Sequence, residues 1–518
     1  MGGRSLWVMV MSLLMLTGCA GLPRPLERAP QTAITPLEAQ NTSIARALAP
    51  LLQSRATGLS GIYPLVEADD AFAARMLMAR HAERTLDVQY YIWRADMTGV
   101  MLLEALHEAA DRGVRVRLLL DDNNSAGIEP FLLAMHAHVN IEVRVFNPFA
   151  IRRVRWLNFV TEFSRVNRRM HNKSFTVDGS ATIIGGRNIG DKYFGASDDI
   201  LFADLDVLTV GAVVPEVSRD FDAYWNSPAA YPLDQVLGRR HNGVSLVQLA
   251  EQAEHISRSP AAGEYLESLR EADLLARLLM RDLEFEWAQV RMVSDAPDKV
   301  WQKHSENSLL VQQLQQIIGN PQQDVELISP YFVPTAAGVE AFAWLVRNGV
   351  EVRVLTNSLA ATDVAFVHAG YARRRKALLE AGVELYELSH VRPKRTPGSR
   401  RKGRVLGSSG SSLHAKTFSV DGQYVFVGSF NFDPRSANLN TELGFVIDSP
   451  RLAMNIRSAF EDEIPEQAYR LSLDDRGRLR WTVRDEGRLQ VYVHEPKSSL
   501  LRRASVRFLS WLPIEGLL

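Results

Sequence analysis

The chain of 518 residues contains a single cysteine, Cys19, which excludes an internal disulfide. Its 59 basic and 60 acidic residues give a net charge of −1, which excludes a globally basic nucleic-acid binder but permits a local basic patch. The adjacent carboxylates Asp121 and Asp122 follow a buried strand without a nearby His or Cys cluster. We therefore predict that these two residues cap a loop, and we expect neither a metal nor a cofactor.

The N-terminus has the pattern of a bacterial lipoprotein signal. The apolar run from Leu6 to Leu16 is too short to span a bilayer but fits the core of a signal peptide. It leads into Leu-Thr-Gly-Cys19, which resembles the site where such a signal is removed and the cysteine is acylated. We predict a signal peptide over residues 1–18, lipidation of Cys19 and a membrane-anchored position on the periplasmic face of the cell envelope. Ala20 favours the outer membrane, and a short uncleaved anchor is the alternative.

One motif occurs twice, and the chain is organised around it. Each copy has His-x-Lys, then Asp-Gly, then a glycine turn and Asn, at identical offsets. His and Lys two residues apart on a strand point to the same face, and Asp-Gly between two β-rich runs indicates a hairpin. The first copy contains His171, Lys173, Asp178, Gly186 and Asn188, and the second contains His414, Lys416, Asp421, Ser429 and Asn431.

The face formed by each copy suits a phosphate group. Lysine supplies positive charge, asparagine supplies N–H donors, and histidine can attack phosphorus or move protons. By their offset, Asp178 and Asp421 lie on the other side of the pleat, so we expect them to brace the turns. A structural duplication has no need to keep His, Lys and Asn, and we therefore interpret the copies as two halves of one phosphodiester-cleaving site.

The repeat resembles the paired His-x-Lys-x4-Asp-x6-Gly-Ser-x-Asn motif of the phospholipase D superfamily. Flanking stretches such as Phe146-Asn-Pro-Phe149 and Ser429-Phe-Asn-Phe-Asp-Pro-Arg-Ser436 resemble the cardiolipin synthase C type within it. One departure is visible, because Gly186 stands where the motif has Ser, so one hydroxyl is missing on that side.

The resemblance implies a role for each residue of the motif. One histidine forms a phosphohistidine and the other protonates the leaving group; the family pattern makes His171 the nucleophile, although the residues alone permit the reverse. A carboxylate on the strand after each motif is expected to orient each imidazole, which nominates Asp206 and Glu442, with Asp204 as the competitor of Asp206. The implied catalytic set is His171, Lys173, Asp178, His414, Lys416 and Asp421, and the implied phosphate-binding set is Asn188, Asn431, Gly186 and Ser429.

The surrounding periodicity predicts an α/β fold of two pseudo-symmetric lobes that arose by internal duplication. Helix, strand, helix and strand precede the first motif and return in the same order before the second, so a mainly parallel or mixed sheet is expected in each lobe, with the active site at the lobe interface. The first predicted units are a flexible tether (residues 19–58), a first lobe (59–245) and a helical linker (246–290). A second lobe (291–468) follows, and then a C-terminal hairpin with an amphipathic helix (469–518).

Two basic stretches suggest contact with a membrane surface. Residues 152–169 interleave arginines with aromatic side chains, which suits a lipid interface with rings at headgroup depth and guanidinium on phosphate. Residues 392–404 have basic residues among Pro, Gly and Ser; anionic lipid, a solvated loop and nucleic acid remain open for this stretch.

Three functions remain open at this point. The first is transfer of a phosphatidyl group to phosphatidylglycerol to make cardiolipin, with phosphatidylethanolamine as a further candidate substrate. The second is hydrolysis, by a phospholipase D or a nuclease, and the third is a non-enzymatic lipid-binding lipoprotein. Two intact motifs argue against the third function, and the subgroup resemblance favours transfer. We expect no obligatory nucleic acid, and no protein partner can be named from the sequence.

Overall fold

The fold is known from a computed structural model. It describes residues 22–23, 28–125, 127–196, 201–238, 244–259, 262–263, 265, 267, 269, 283–301, 308–389, 412–485, 488–512 and 515–518. The strands of the first half are β1 (Ser60–Leu65), β2 (Thr85–Ile92), β3 (Arg115–Asn124), β4 (Ile141–Phe146), β5 (Ser174–Val177), β6 (Ala181–Gly185), β7 (Phe202–Ala203), β8 (Asp206–Gly211) and β9 (Ala230–Pro232).

Helices alternate with these strands. Several of them begin at a side-chain cap, as where Asp96 accepts a hydrogen bond from the backbone N–H of Gly99. They are α1 (Pro36–Ala39), α2 (Ser43–Gln53), α3 (Ala68–His81), α4 (Met97–Asp111), α5 (Glu129–His136), α6 (Asn158–Thr161), α7 (Phe163–Val166), α8 (Asp191–Phe194), α9 (Val214–Trp225), α10 (Leu233–Leu237) and α11 (Leu246–Ser257).

The second half repeats the order of the first. Its strands are β10 (Glu286–Ser294), β11 (Asp324–Ile328), β12 (Glu351–Asn357), β13 (Glu384–Leu388), β14 (Ser412–Leu413), β15 (Thr417–Val420), β16 (Tyr424–Gly428), β17 (Leu443–Asp448), β18 (Ala468–Leu473), β19 (Leu479–Asp485) and β20 (Arg488–Tyr492). Its helices are α12 (Leu310–Ile318), α13 (Thr335–Arg347), α14 (Ala365–Glu380), α15 (Pro434–Asn438), α16 (Pro450–Ser458), α17 (Ile464–Gln467) and α18 (Leu500–Leu509).

The two lobes share one mixed sheet. The first lobe has the order β9-β4-β3-β2-β5-β6-β8-β1, and β1 then pairs antiparallel with β10. From β10 the second lobe continues as β17-β16-β15-β11-β12-β13-β18-β19-β20. The predicted parallel pairing holds for β2, β3 and β4 and for β11, β12 and β13, where helices connect the strands. The motif hairpins add antiparallel strands to each lobe, so the sheet is mixed.

The predicted flexible tether is wrong for its described part from residue 28 to 58. Thr35 and Glu38 form a capping box that starts α1, and the preceding backbone lies against the first lobe. There, Gln31 Nε2 donates to Glu142 Oε2 over 2.6 Å, and Gln31 Oε1 accepts from Trp225 Nε1 over 3.0 Å. These contacts fix a segment whose proline content had indicated a linker.

The predicted helical linker is wrong at its C-terminal end. Helix α11 does form, but Leu249 and Ala253 pack into the core of the first lobe. The end of the predicted linker is strand β10, which joins β1 to β17 and thus forms the seam between the lobes. Its alternating pattern Trp-Ala-Gln-Val-Arg-Met-Val, from Trp287, is that of a strand with two different faces.

The C-terminal segment extends the second lobe. The expected hairpin is present as β18 and β19, where the N–H of Asp474 donates to the carbonyl of Arg478. Strand β18 pairs with β13, and Trp481 is buried in the second-lobe core. The expected amphipathic helix is α18, which packs against α14 through Val506.

In the part of the chain that the structure describes, we find no helix of the length and apolar character that crossing a bilayer requires.

Candidate active site at the lobe interface

Each motif forms the predicted hairpin, and its aspartate holds the turn. Asp178 and Asp421 adopt the left-handed conformation, with φ of 50° and 54°, just before the turn glycines. The carboxylate of Asp178 accepts hydrogen bonds from the backbone N–H groups of residues 83–85, and that of Asp421 accepts from residues 322–324. Both side chains thus tie the hairpin to the start of the neighbouring strand, as their offset predicts. This contact gives them a structural role beside the reacting groups of the motif.

The backbone N–H of each histidine is hydrogen-bonded to the opposite lobe. The N–H of His171 donates to the carbonyl of Thr441 over 2.9 Å, and the N–H of His414 donates to the carbonyl of Ala203 over 2.7 Å. In the second case the contact is extended by the parallel pairing of β7 with β14. The two motifs therefore meet at the lobe interface.

Each imidazole is bonded to a carboxylate from the other lobe. His171 Nδ1 lies 2.8 Å from Glu442 Oε2, and His414 Nδ1 lies 2.5 Å from Asp204 Oδ2. Both carboxylates are completely buried, whereas the two histidines each keep 6% of their surface exposed. With Nδ1 bonded to a carboxylate, Nε2 is the ring nitrogen left for a substrate on each side.

Asp206, predicted to orient a histidine, does not do so. Its Oδ2 accepts from the guanidinium of Arg75 over 2.7 Å, and its Oδ1 accepts from the backbone N–H of Arg187 over 3.1 Å. Asp206 lies in β8, whose hydrogen bonds turn its side chain into the first lobe, whereas Asp204 lies before the strand and faces the interface. The sequence contained the signal, since Asp204-Leu205-Asp206 aligned on Glu442-Leu-Gly places Asp204 opposite Glu442.

The glycine that departs from the motif is explained by the same carboxylate. A Cβ on Gly186 would lie 2.0 Å from Asp204 Oδ1, so a serine does not fit there. In the second lobe, Ser429 Oγ donates to Glu442 Oε2 over 2.5 Å, and Ser436 Oγ donates to Glu442 Oε1 over 2.8 Å. Ser429 thus contacts the orienting carboxylate Glu442, and the absence of a side chain at Gly186 leaves room for Asp204. A phosphate-binding role for the two positions stays a prediction.

Two buried lysines give the site its charge. Lys173 Nζ donates to the carbonyl of His171 over 2.5 Å, and Lys416 Nζ donates to that of His414 over 2.5 Å. Burial lowers the pKa of Lys173 to about 7 and also lowers that of Lys416. A negatively charged ligand would restore the charge of both lysines, because an anion nearby favours the protonated form.

The two histidines differ electrostatically. Burial and the nearby lysines hold the pKa of His171 well below its usual value, and burial raises the pKa of its partner Glu442 to about 7. The pKa of Asp204 is lowered, because His414 and Lys416 outweigh the effect of its burial. Asp204 is thus an ionised partner for His414, although burial and Lys416 still hold the pKa of His414 below its usual value. The pKa of Glu442, in contrast, is about 7.

The side-chain amides of Asn188 and Asn431 are buried, as are the histidines and lysines of the motifs. Asn188 is 1% exposed and Asn431 is 4% exposed. Asn188 Oδ1 accepts from the N–H of Ile92 over 3.1 Å, while its Nδ2 has no hydrogen-bond partner among the described residues. A buried donor without a partner is costly, which fits a group that awaits a ligand oxygen.

Aromatic rings surround the histidines. The ring of Tyr91 packs edge-on against His171 at 4.9 Å between centroids, which places Tyr91 in the site. The rings of Tyr193 and Phe202 pack against His414 with centroid distances of 5.2 and 5.1 Å, and neither residue was predicted from the sequence to lie in the site. Their positions in the sequence could have indicated that they lie in the site, since Tyr193 follows the first motif by a few residues and Phe202 precedes Asp204.

The arginines of residues 152–169 are mostly engaged inside the protein. Arg152 bonds to Asp122, and Arg169 bonds to Asp121 within 3.0 Å. The two aspartates also accept backbone N–H groups, as the predicted loop capping requires. The predicted use of these guanidinium groups on lipid phosphate is therefore wrong for them. The apolar part of the stretch is outside, with Trp156 64% exposed.

Two predicted features lie outside the described residues, namely Cys19 with its signal and the basic residues 392–404. Among the described residues, we find no group of three or more His, Cys, Asp or Glu side chains placed to hold a metal ion.

Comparison with known proteins identifies the family. The family model described as cardiolipin synthase, PLD-like domain, matches residues 77–225 and again residues 314–464, one copy of the motif in each. The chain belongs to this phospholipase D-like family. Its two matches correspond to the two lobes that meet at the site.

Relatives in the phospholipase D-like family extend over most of the chain. Cardiolipin synthase C of Escherichia coli (strain K12) is 49% identical over 482 residues, which are 92% of this chain and 99% of that protein. A cardiolipin synthase of Staphylococcus aureus (strain Mu50) is 24% identical over 413 residues, 80% of this chain and 69% of that protein. The crystal structure of phosphatidylserine synthase from Haemophilus influenzae Rd KW20 has a TM-score of 0.56 at 15% identity, covers 88% of this chain and 95% of its own, and shares the fold.

Proposed function

We propose that this protein transfers a phosphatidyl group to phosphatidylglycerol and so makes cardiolipin. The observation that carries the proposal is the pair of imidazoles at the lobe interface, each bonded through Nδ1 to a buried carboxylate and each next to a buried lysine. The similarity to Escherichia coli cardiolipin synthase C, at 49% identity over 92% of the chain, supports the choice of reaction.

The first half of the reaction forms a phosphohistidine. Nε2 of His171 attacks phosphorus of the donor lipid, a P–N bond forms, and the P–O bond to the leaving alcohol breaks. His414 protonates that alcohol through its own Nε2. The assignment is supported by the pKa of His171, which burial and the lysines hold well below its usual value so that the attacking nitrogen is unprotonated. It is also supported by ionised Asp204, which opposes the lowering of the pKa of His414 by burial and Lys416 and so favours the imidazolium form.

In the second half of the reaction His414 acts as a base instead of an acid, and the P–N bond breaks. His414, now neutral, removes the proton from a hydroxyl of phosphatidylglycerol, and that oxygen attacks phosphorus as the P–N bond breaks. Lys173 and Lys416 neutralise the non-bridging oxygens during both steps, and Asn188 and Asn431 donate to them. Asp204 and Glu442 hold the rings in the tautomer that leaves Nε2 facing phosphorus, as in other carboxylate–histidine pairs.

The proposed substrates are membrane lipids, so the site must work at a membrane surface. We place the protein on the periplasmic face of the bacterial envelope, anchored through Cys19 after removal of residues 1–18. Two exposed apolar groups support contact with lipid. One is Trp156 with Val160, which are 64% and 72% exposed, and the other is Leu501 with Trp511, which are 77% and 74% exposed. Such side chains favour the interfacial region of a bilayer.

The test uses purified protein without residues 1–18 in mixed micelles of phosphatidylglycerol, with and without phosphatidylethanolamine. Mass spectrometry follows the products of the native protein beside His171→Ala and His414→Ala. We expect cardiolipin from the native protein and none from either variant. Phosphatidic acid as the sole product would replace transfer with hydrolysis. Complete absence of lipid turnover would refute the proposal and direct the test to nucleic acids.

The phosphohistidine is tested separately. In His414→Ala the intermediate forms slowly but its discharge is also impaired, so donor lipid carrying a radioactive phosphate should label the protein. The label should be acid-labile and should map to the peptide that contains His171. Labelling at His414 in a His171→Ala variant instead would reverse the two assignments.

A further inference from the structure

The second lobe places a carboxylate at the rim of the two-histidine site. Tyr331 Oη donates to Asp363 Oδ1 over 2.9 Å and lies 3.1 Å from its Oδ2. Tyr331 is partly buried, whereas Asp363 is exposed to solvent. The proposed chemistry uses neither residue.

The backbone on both sides of Tyr331 is bound to the second motif. The N–H of Val333 donates to the carbonyl of Phe432 over 2.8 Å, and Ser329 Oγ accepts from the N–H of Phe432 over 3.2 Å. Phe432 directly follows Asn431 in the sequence. Tyr331 therefore stands beside the asparagine of the second motif.

The loop that carries Asp363 starts next to the second histidine. Asn357, the last residue of β12, forms two hydrogen bonds of 2.9 Å with the backbone of Leu413, one with its carbonyl and one with its N–H. Leu413 precedes His414 in the sequence, and Asp363 follows Asn357 on the loop between β12 and α14. The hydrogen bond from Tyr331 then holds Asp363 on the side of the loop that faces the motif.

The charge of Asp363 acts on groups inside the site. Burial raises the pKa of Tyr193, and Asp363 adds to this effect, while Asp363 opposes the lowering of the pKa of Lys416 by burial. The pKa of Tyr331 is raised by burial and by Asp363, with further contributions from Tyr193 and Tyr91. These last two tyrosines pack against the two histidines, so the Tyr331–Asp363 pair borders the space where both imidazoles meet the substrate.

The first lobe has a neutral group where the second has this carboxylate. Asn123, from β3, donates its Nδ2 to Tyr91 Oη over 3.4 Å, and β3 is the strand of the first lobe that corresponds to β12. No Lys, Arg or His side chain in the described part of the chain forms an ion pair with Asp363. Its charge repels the anionic phosphate that the site must attract, so the carboxylate weakens substrate binding unless it contacts another part of the substrate.

We propose that Asp363 binds the headgroup alcohol of the lipid, through a hydroxyl or an ammonium on the carbon next to the one that bears the reacting oxygen. The inference rests on the proposed function and adds to it a site for the alcohol that leaves or attacks phosphorus. Glycerol and ethanolamine both carry a donor at this place, and a carboxylate accepts from either group. The same alcohol exchanges its proton with His414, beside which the loop of Asp363 begins.

The test lets three donor lipids compete in one vessel. Their headgroups are ethanolamine, ethylene glycol and 1-propanol, which differ only in the ammonium, hydroxyl or methyl group at the end of a two-carbon spacer. Each donor carries its own isotopic label in the acyl chains and is present at the same low concentration in mixed micelles with unlabelled phosphatidylglycerol as the acceptor. Mass spectrometry of labelled cardiolipin gives the ratios of kcat/KM for the three donors. A partly unfolded variant lowers all three products together and leaves these ratios unchanged.

We expect the native protein to prefer the ethanolamine and ethylene glycol lipids over the propanol lipid by about 10- to 100-fold, as a hydrogen bond to a charged group predicts. Asp363→Ala should abolish both preferences. Asp363→Asn keeps an acceptor oxygen but removes the charge, so it should retain the preference for the hydroxyl and lose that for the ammonium. Asp475→Ala removes an exposed carboxylate from the turn between β18 and β19, and as the matched control it should keep the native ratios.

The outcomes separate this proposal from the proposed function. A preference for only one of the two donor groups, lost in Asp363→Ala, supports the site and assigns it to that headgroup. Equal use of all three donors by the native protein, or native ratios in Asp363→Ala, overturns the headgroup site while transfer stands. Absence of cardiolipin from the native protein overturns transfer, and the inference with it.

Discussion

Substitution by asparagine should lower turnover at Asp204 but lower the stability of the fold at Asp206. Asp204→Asn keeps the shape of the side chain but can donate to His414 Nδ1, which favours the wrong tautomer; in a comparable carboxylate–histidine pair this costs about 10,000-fold in turnover. Asp206→Asn leaves the guanidinium of Arg75, which is 1% exposed, without its carboxylate. Removal of one partner of a buried ion pair costs about 3–5 kcal/mol, a large part of the stability of an average domain.

The assay measures both quantities on both variants. Cardiolipin formation in mixed micelles gives kcat, and urea unfolding followed by tryptophan fluorescence gives the free energy of unfolding. We expect Asp204→Asn to lose turnover with a nearly normal urea midpoint, and Asp206→Asn to unfold at lower urea while its folded fraction keeps substantial turnover. The reverse pattern, with loss of turnover in a stable Asp206→Asn and a fully active Asp204→Asn, would refute the assignment of the orienting carboxylate.

Three further predictions concern Gly186, the pH dependence of the reaction and the exposed side chain of Trp156. Gly186→Ser, which restores the general motif, should lower kcat about 100-fold because the orienting carboxylate must move by an ångström or more, and a variant as active as the native protein would contradict this. The profile of kcat/KM against pH should be a bell centred near 7, since Glu442 ionises as pH rises to about 7 whereas Lys173 loses its proton above about 7; a flat profile from pH 5.5 to 8.5 would count against these pKa values. Trp156→Asp should weaken sedimentation with phosphatidylglycerol vesicles about tenfold without affecting turnover of short-chain dibutanoyl-phosphatidylglycerol, and unchanged sedimentation would remove this residue from the membrane surface.

The sequence was sufficient for the fold of the lobes because its signals were local. Hydrophobic periodicity placed α3, β2, α4 and β3, and a second set in the same order revealed the duplication. The motif hairpins followed from Asp-Gly turns, and the offset of Asp178 from His171 predicted that Asp178 would brace the turn, which it does by accepting backbone N–H groups.

The errors came from contacts that no local pattern records. The alignment of Asp204 with Glu442 favours Asp204 over Asp206, but no local pattern records that its partner is His414, 210 positions away in the other lobe. The role of Gly186 depends on the same carboxylate. The tether prediction failed for a similar reason, since proline content indicates a linker, whereas the contacts of Gln31 with α9 and β4 form only in the folded lobe.

The crossing of the carboxylates makes the site all-or-none. Each histidine depends on a carboxylate of the other lobe, so neither lobe holds a complete histidine–carboxylate pair of its own. A single lobe, although it carries every residue of one motif, would lack the buried carboxylate that holds its imidazole.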